Sequence, residues 1–162
     1  MQPNEKYDWS RLNHLQLGKY AEYFVKMECV LYGFDVYTAE VDDKGIDFVL
    51  RVGDNSYYDV QVKSTRGDYI FFPKSKFKKN MLAAVALFRP HQAPNLFLMR
   101  ATEWETPNAL FVSHDYENST KSKPEWGLNL SQKNMPLLAE FAFDKTAEKI
   151  LREAEHVDAS AT

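Results

Sequence analysis

The chain has 162 residues, 44% of them hydrophobic and 14% aromatic, which is enough apolar material for one domain with a proper core. A net charge of −3 provides no global basic field to announce nucleic acid, so any such binding must rest on local patches. A single cysteine, Cys29, excludes an intramolecular disulfide framework and fits a reducing cytoplasm, and four scattered histidines lack zinc-ligand spacing. No apolar run approaches transmembrane length, and the opening Met-Gln-Pro-Asn-Glu-Lys does not read as a signal peptide, so a cytoplasmic location is expected. Residues 1–162 are expected to form one domain with a disordered tail from about residue 157.

Taken in order, the first element is a helix from about Asn13 to Tyr32, with Leu17, Ala21, Phe24, Val25, Glu28 and Leu31 at spacings of three and four. Gly33 ends it as a glycine just past a helix does. Gly18 and Glu22 lie one turn apart on a neighbouring face, and Gly18 is expected to permit close approach of a strand. A first strand follows over 34–41, and Asp42-Asp43-Lys44-Gly45 is a turn by composition. That turn delivers Asp43 next to the strand that carries Asp47.

From Gly45 to Ser64 the chain reads as two alternating strands joined by Gly53-Asp54-Asn55. Ile46, Phe48, Leu50, Val52, Tyr58, Val60 and Val62 fall on one face; Asp47, Arg51, Asp59, Gln61 and Lys63 fall on the other. If the hairpin closes around Asp54, Val52 pairs with Ser56 and, counting outward, Asp47 faces Gln61 at about 5 Å between Cβ atoms. Asp47, Gln61 and Lys63 then converge on one patch. A carboxylate and an amide oxygen are hard ligands of the kind Mg²⁺ or Mn²⁺ takes. A lysine beside them can hold a phosphate or assist proton transfer. The alternative is an exposed strand face with an incidental ion pair.

Beyond Lys63 come a turn at 64–68 containing Arg66, a strand at 69–73, and the basic run Lys74, Lys76, Lys78 and Lys79. With Lys63 and Arg66 that run could track phosphates, or it could be a solvated face. Met81 to Phe88 reads as a buried strand, Leu96 to Arg100 as another, and 102–104 as a short helix. Ala109 to Ser113 and 126–131 are short strands around a polar loop at 115–124. Asn134 to Ala139 carries a helical turn, and a final helix spans Asp144 to Glu155 with Asp144 as its N-cap.

Gly-Ile-Asp, a hairpin, then Gln-Val-Lys-Ser resembles the PD-(D/E)xK nuclease superfamily, which includes restriction-type endonucleases and Holliday-junction resolvases. Asp47 and Lys63 match its pattern directly. Gln61 departs from the acidic consensus, although a Gln-x-Lys form also occurs in the superfamily. The resemblance implies an α+β sandwich within the α/β class: a restriction-endonuclease-like core with an α-β-β-β start, a mixed central sheet and flanking helices. It further implies an endonuclease acting on DNA with Mg²⁺ or Mn²⁺ held by Asp47, by Glu22 from the first helix, and by Gln61 or the Val62 carbonyl, while Lys63 assists the attacking water. A homodimer is compatible with it. Two other readings stay open, a nuclease-like fold kept as a nucleic-acid-binding or regulatory module, and a structural subunit of a defence or toxin–antitoxin complex.

Overall fold

The structure, a computed structural model, describes residues 5–41 and 44–162, so the turn carboxylates Asp42 and Asp43 lie outside the described residues. Helix α1 runs His14–Leu31 and begins at a reciprocal cap: the Asn13 side chain accepts from the Gln16 N–H, and the Gln16 side chain accepts from the Asn13 N–H. Gly33, in the left-handed region at φ 75°, ends it. Leu17, Ala21, Val25 and Cys29 recur every fourth residue and form the buried face. Burial pushes the Cys29 thiol up to about 12, which makes it a packing residue and not a nucleophile.

Strand β1 (Asp35–Tyr37) is shorter than the alternation at 34–41 predicts, because only three residues find partners, on β2 (Phe48–Val52). Then follow β3 (Ser56–Thr65), β4 (Tyr69–Pro73), β5 (Met81–Leu87), β6 (Asn95–Arg100), β7 (Phe111–His114) and β8 (Glu125–Asn129). A five-stranded sheet has the order β1-β2-β3-β5-β6, and a three-stranded sheet the order β4-β8-β7. Among the described residues only β3 and β5 pair in parallel, from Asp59 opposite Met81 to Thr65 opposite Leu87, so the larger sheet is mixed.

Short helix α2 (Met135–Leu138) precedes α3 (Phe143–Ser160). Val25 and Cys29 of α1 and Ala147 and Ile150 of α3 pack with Phe48, Leu50, Val60, Leu82 and Leu98 on one face of the larger sheet. Its other face, through Ala83, Val85 and Met99, packs against Phe72, Phe111 and Leu128 of the smaller sheet, with Trp104 among them. This arrangement accounts for the unbroken apolar sequence of β5: a strand covered on both faces has no solvent side to alternate towards.

Two C-terminal expectations are corrected. Ala142, not Asp144, holds the cap position of α3; Asp144 lies in the first turn, where its carboxylate accepts from the Lys145 N–H. The helix also continues through 157–160, where a disordered tail was expected. Asp158 explains the extension, since its carboxylate accepts from the Asp54 N–H at 2.9 Å and from the Asn55 side-chain amide at 2.8 Å, tying the last turn of α3 to the hairpin turn.

Those hydrogen bonds hold the Asp158 carboxyl below its ordinary 3.8, so its stabilising contribution is present above that value and lost as pH falls through the lower folded value. Asp158→Ala should therefore lower the melting temperature at neutral pH, with the gap to the parent closing below about pH 4. Gly53, at φ 65°, sits in the same turn, and a Cβ there would collide with Asp158. Gly53→Ala should cost about 1–2 kcal/mol from its backbone conformation alone, read by urea denaturation.

Candidate functional site

The hairpin closes as the alternation predicts, with Val52 opposite Ser56 and the ladder running out to Phe48 opposite Val60. It ends there. The Asp47 N–H donates to the Val60 carbonyl at 2.9 Å, so two residues on the β2 side oppose one on β3, the two-against-one pattern of a bulge. The Asp47 carboxylate then accepts from the Val62 N–H at 2.6 Å. Asp47 therefore reaches β3 at Val62 and does not face Gln61 across a continued ladder, which corrects the register-based expectation.

Among the described residues, 61–65 of β3 have a strand partner on the β5 side only. In an extended strand a residue's N–H and C=O point to the same edge, so the Val62 carbonyl opens on the free edge beside Asp47. Along this edge runs a groove of about 460 Å³, walled by His14 and Gly18 of α1, by Val62 to Thr65, and by Tyr69 and Phe71 of β4. Gly18 is not sterically required there: a Cβ would meet only Ser64 Oγ, at an ordinary 3.9 Å.

Gln61 and Lys63 pair with Ala83 and Val85, on the face of the sheet that the smaller sheet covers. Both are half-buried. The Gln61 side-chain oxygen is fully buried and, among the described residues, has no hydrogen-bond partner. Leaving such an oxygen unsatisfied costs about 1–3 kcal/mol. The Lys63 ammonium stands 5.7 Å from the centre of the Phe71 ring and 5.8 Å from that of Phe72. Two aromatic faces in reach of one ammonium hold its charge at the groove wall.

Glu22 is tightly engaged. One carboxylate oxygen accepts from Lys26 at 2.8 Å and the other from Lys19 at 2.9 Å, and the side chain is mostly buried. Burial opposes its ionisation, but the hydrogen bonds from Lys26 and Lys19 outweigh it and hold the carboxyl below the usual carboxylate range. The hydrogen bond to Glu22 raises Lys19 above its ordinary value, and the Asp47 charge adds to that effect. Asp47 and Glu22 thus share an electrostatic neighbour. Glu28, a second carboxylate on α1, acts instead on Cys29 and Tyr32.

The cationic strip divides. Arg66 donates to the carbonyls of Trp9 and Leu12, binding the segment before α1 to the β3–β4 turn. Lys74 donates to Ser113 Oγ at 2.6 Å and Asp115 at 2.7 Å, over the Trp126 ring at 4.0 Å. Lys78 pairs with Asp59 at 3.9 Å. Lys74, Lys78 and Lys79 line a separate depression with Trp126, while the Lys76 stem lies against Gly45, two residues before Asp47. None of the four lines the groove at Lys63.

No protein-family model matches the chain, and no curated protein matches its sequence. Solved structures do match. A bacterial homing endonuclease superposes with a TM-score of 0.58 at 13% identity, over 91% of this chain and 98% of its own. The Holliday junction resolvase Hjc of the archaeal hyperthermophile Archaeoglobus fulgidus superposes with a TM-score of 0.52 at 14% identity, over 81% and 95%. The chain has the restriction-endonuclease-like fold.

In this restriction-endonuclease-like framework, the groove follows the edge that β2 leaves open when it parts from β3. Lys19 and Lys26, three before and four after Glu22, are functional neighbours that the sequence signals only through the spacing of helix-surface pairs. Tyr69 and Phe71 were legible only as a strand, because nothing local places that strand in a second sheet. Among the described residues no helix is long and apolar enough to cross a membrane.

The Asp47–Val62 hydrogen bond separates folding from chemistry. Asp47→Ala leaves a partly buried N–H without its acceptor and should destabilise by about 1–3 kcal/mol. Asp47→Asn keeps an acceptor oxygen and should retain most of that stability, as measured by urea denaturation of the two variants side by side.

Proposed function

We propose that this protein is a divalent-metal-dependent endonuclease that hydrolyses phosphodiester bonds of DNA. The observation that carries this reading is the buried, unpartnered amide oxygen of Gln61, on the strand that also bears Lys63 and meets the Asp47 carboxylate at Val62. An oxygen donor left unsatisfied in a protein interior is costly, and a hard cation is one way to satisfy it. Asp47, Gln61 and the Val62 carbonyl form an all-oxygen donor set suited to Mg²⁺ or Mn²⁺, with Glu22 in reserve on α1. Among the described residues no three His, Cys, Asp or Glu side chains gather for an ion, and in this reading neutral oxygens join Asp47 in the set. The bound cation would supply Lewis acidity and a water of lowered pKa.

The chain's own groups do the rest. Asp47, fixed by its hydrogen bond to Val62, holds one carboxylate at the end of the hairpin. Lys63, backed by Phe71 and Phe72, offers its ammonium to a phosphate oxygen or to the attacking water. The groove beside the free edge of β3 takes the sugar–phosphate backbone. Likeness to two DNA enzymes at 13% and 14% identity supports the class of substrate, and the residues support the chemistry.

Two observations favour a second reading, a nucleic-acid-binding module with little hydrolysis. Both Glu22 oxygens are already held by lysines, and Gln61 brings no charge. Plasmid nicking in Mg²⁺ and Mn²⁺ separates the two: the proposed enzyme converts supercoiled to open-circular DNA, whereas a binding module only shifts DNA in a gel containing EDTA.

Lys63→Ala should abolish nicking while leaving the cation-induced rise in melting temperature intact, because an ammonium is no metal ligand; equal nicking by the variant sinks the assignment. Asp47→Asn should shrink that cation-induced rise, since a ligand that binds the folded state stabilises it by mass action. Gln61→Glu adds the charge that this site lacks. It should tighten Mn²⁺ binding in isothermal titration and lower stability in EDTA, where a second carboxylate near the first is unfavourable.

A further inference from the structure

The outward face of the small sheet carries a group of aromatic side chains that the chemistry above does not use. Alternation along β4 sends Ile70 and Phe72 into the core and leaves Tyr69 and Phe71 outside, 40% and 47% exposed. Across the sheet, Phe71 is opposite Gly127, and His114 is opposite Glu125. Gly127 is there for space: a Cβ on it would collide with the Tyr69 ring, which lies across the strand to reach Glu125. One oxygen of that buried carboxylate accepts from Tyr69 Oη at 2.8 Å and from Tyr116 Oη at 2.9 Å. His114 stacks on Tyr116 at 24° with ring centres 5.5 Å apart, and meets Tyr69 edge-on at 6.3 Å. Tyr116 also keeps a left-handed backbone at φ 53°, which is unusual for a side chain of its size.

A buried carboxylate, a glycine inside a strand and an unusual backbone all serve to hold exposed rings still. Such rings lose little freedom when something flat lies on them. The face is continuous with the groove, because Tyr69 and Phe71 form the groove's wall and the Lys63 ammonium stands 5.7 Å from the Phe71 ring. Cation and rings side by side match a strand of nucleic acid whose phosphates follow the groove and whose bases are unstacked. Bases inside an intact duplex present only their edges, so they cannot lie on these rings.

We propose that the outer face of the β4-β8-β7 sheet is a stacking platform for unpaired bases, so that the substrate is DNA with a single-stranded segment next to the cleavage position. The proposal rests on the groove being a nucleic-acid site and deepens that reading. The test is fluorescence anisotropy of the full chain in EDTA, with a labelled duplex and with the same duplex carrying a single-stranded flap. The flap substrate should bind about tenfold more tightly, the scale of one base–aromatic stack. Phe71→Leu keeps an apolar side chain but removes the ring, and should erase that preference; Tyr116→Ala should weaken it. Val157→Ser, at an equally exposed apolar position on α3, should leave it unchanged. Thermal melts confirm that each variant is folded. Equal binding of duplex and flap, or a preference that survives Phe71→Leu, overturns the platform and leaves the face to a second copy or a protein partner, with the nuclease reading standing. Binding to neither DNA overturns both.

Discussion

The hydrogen bond from the Val62 N–H to the Asp47 carboxylate decides where this molecule opens. At Asp59 and Val60, β3 is paired on both edges; beyond Val60, a side chain takes the place of the next backbone acceptor, and the neighbouring strand departs. A strand that lost its partner with nothing in exchange would leave a half-buried donor unsatisfied. Asp47 removes that cost at the first free position and leaves the following residues open to the groove. The same carboxylate is thereby held at Val62, the residue between Gln61 and Lys63 in the strand.

The two covers of the larger sheet divide the labour. On one side α1 and α3 seal an apolar layer, and α1 carries Glu22 between its two lysine partners. On the other, the small sheet packs over β5 and presents Phe71 and Phe72 to Lys63. The even positions of the hairpin belong to the first layer, whereas Gln61 and Lys63, beside Ala83 and Val85 of β5, lie on the face towards the second. Gln61 and Lys63 are therefore half-buried between sheets, which gives an amide or an ammonium more influence than it would have in water.

Much of this was legible in the residues. Strict alternation around Gly53 fixes the hairpin register from Val52–Ser56 outward, and the unbroken apolar run at β5 announces a strand covered on both faces. The departure at Asp47 was not legible, because a bulge depends on what a side chain bonds to once the ladder has ended. The lysines at 74, 76, 78 and 79 read as one patch, yet Lys74 and Lys78 are spent on Asp115 and Asp59, partners 41 and 19 positions away (115 − 74 and 78 − 59). The end of α3 read as a tail because its value lies in Asp158 reaching a turn over a hundred residues earlier, at Asp54 and Asn55. Long-range satisfaction of polar groups leaves no periodic trace.

Arg66 shows how a structural residue can still matter to an anion. Its guanidinium spends hydrogen bonds on the Trp9 and Leu12 carbonyls, which are neutral, and among the described residues it forms no ion pair with a carboxylate. Both hydrogen bonds come from Nη2 and go to neutral oxygens, so its charge is not cancelled. Lys74, Lys78 and Arg89 each sit beside an acid and project little beyond it. Arg66, two residues past the Ser64 that lines the groove, instead adds a full positive charge to the local potential. In a chain of net charge −3, a buttress of that kind turns a joint in the scaffold into a source of attraction for a polyanion.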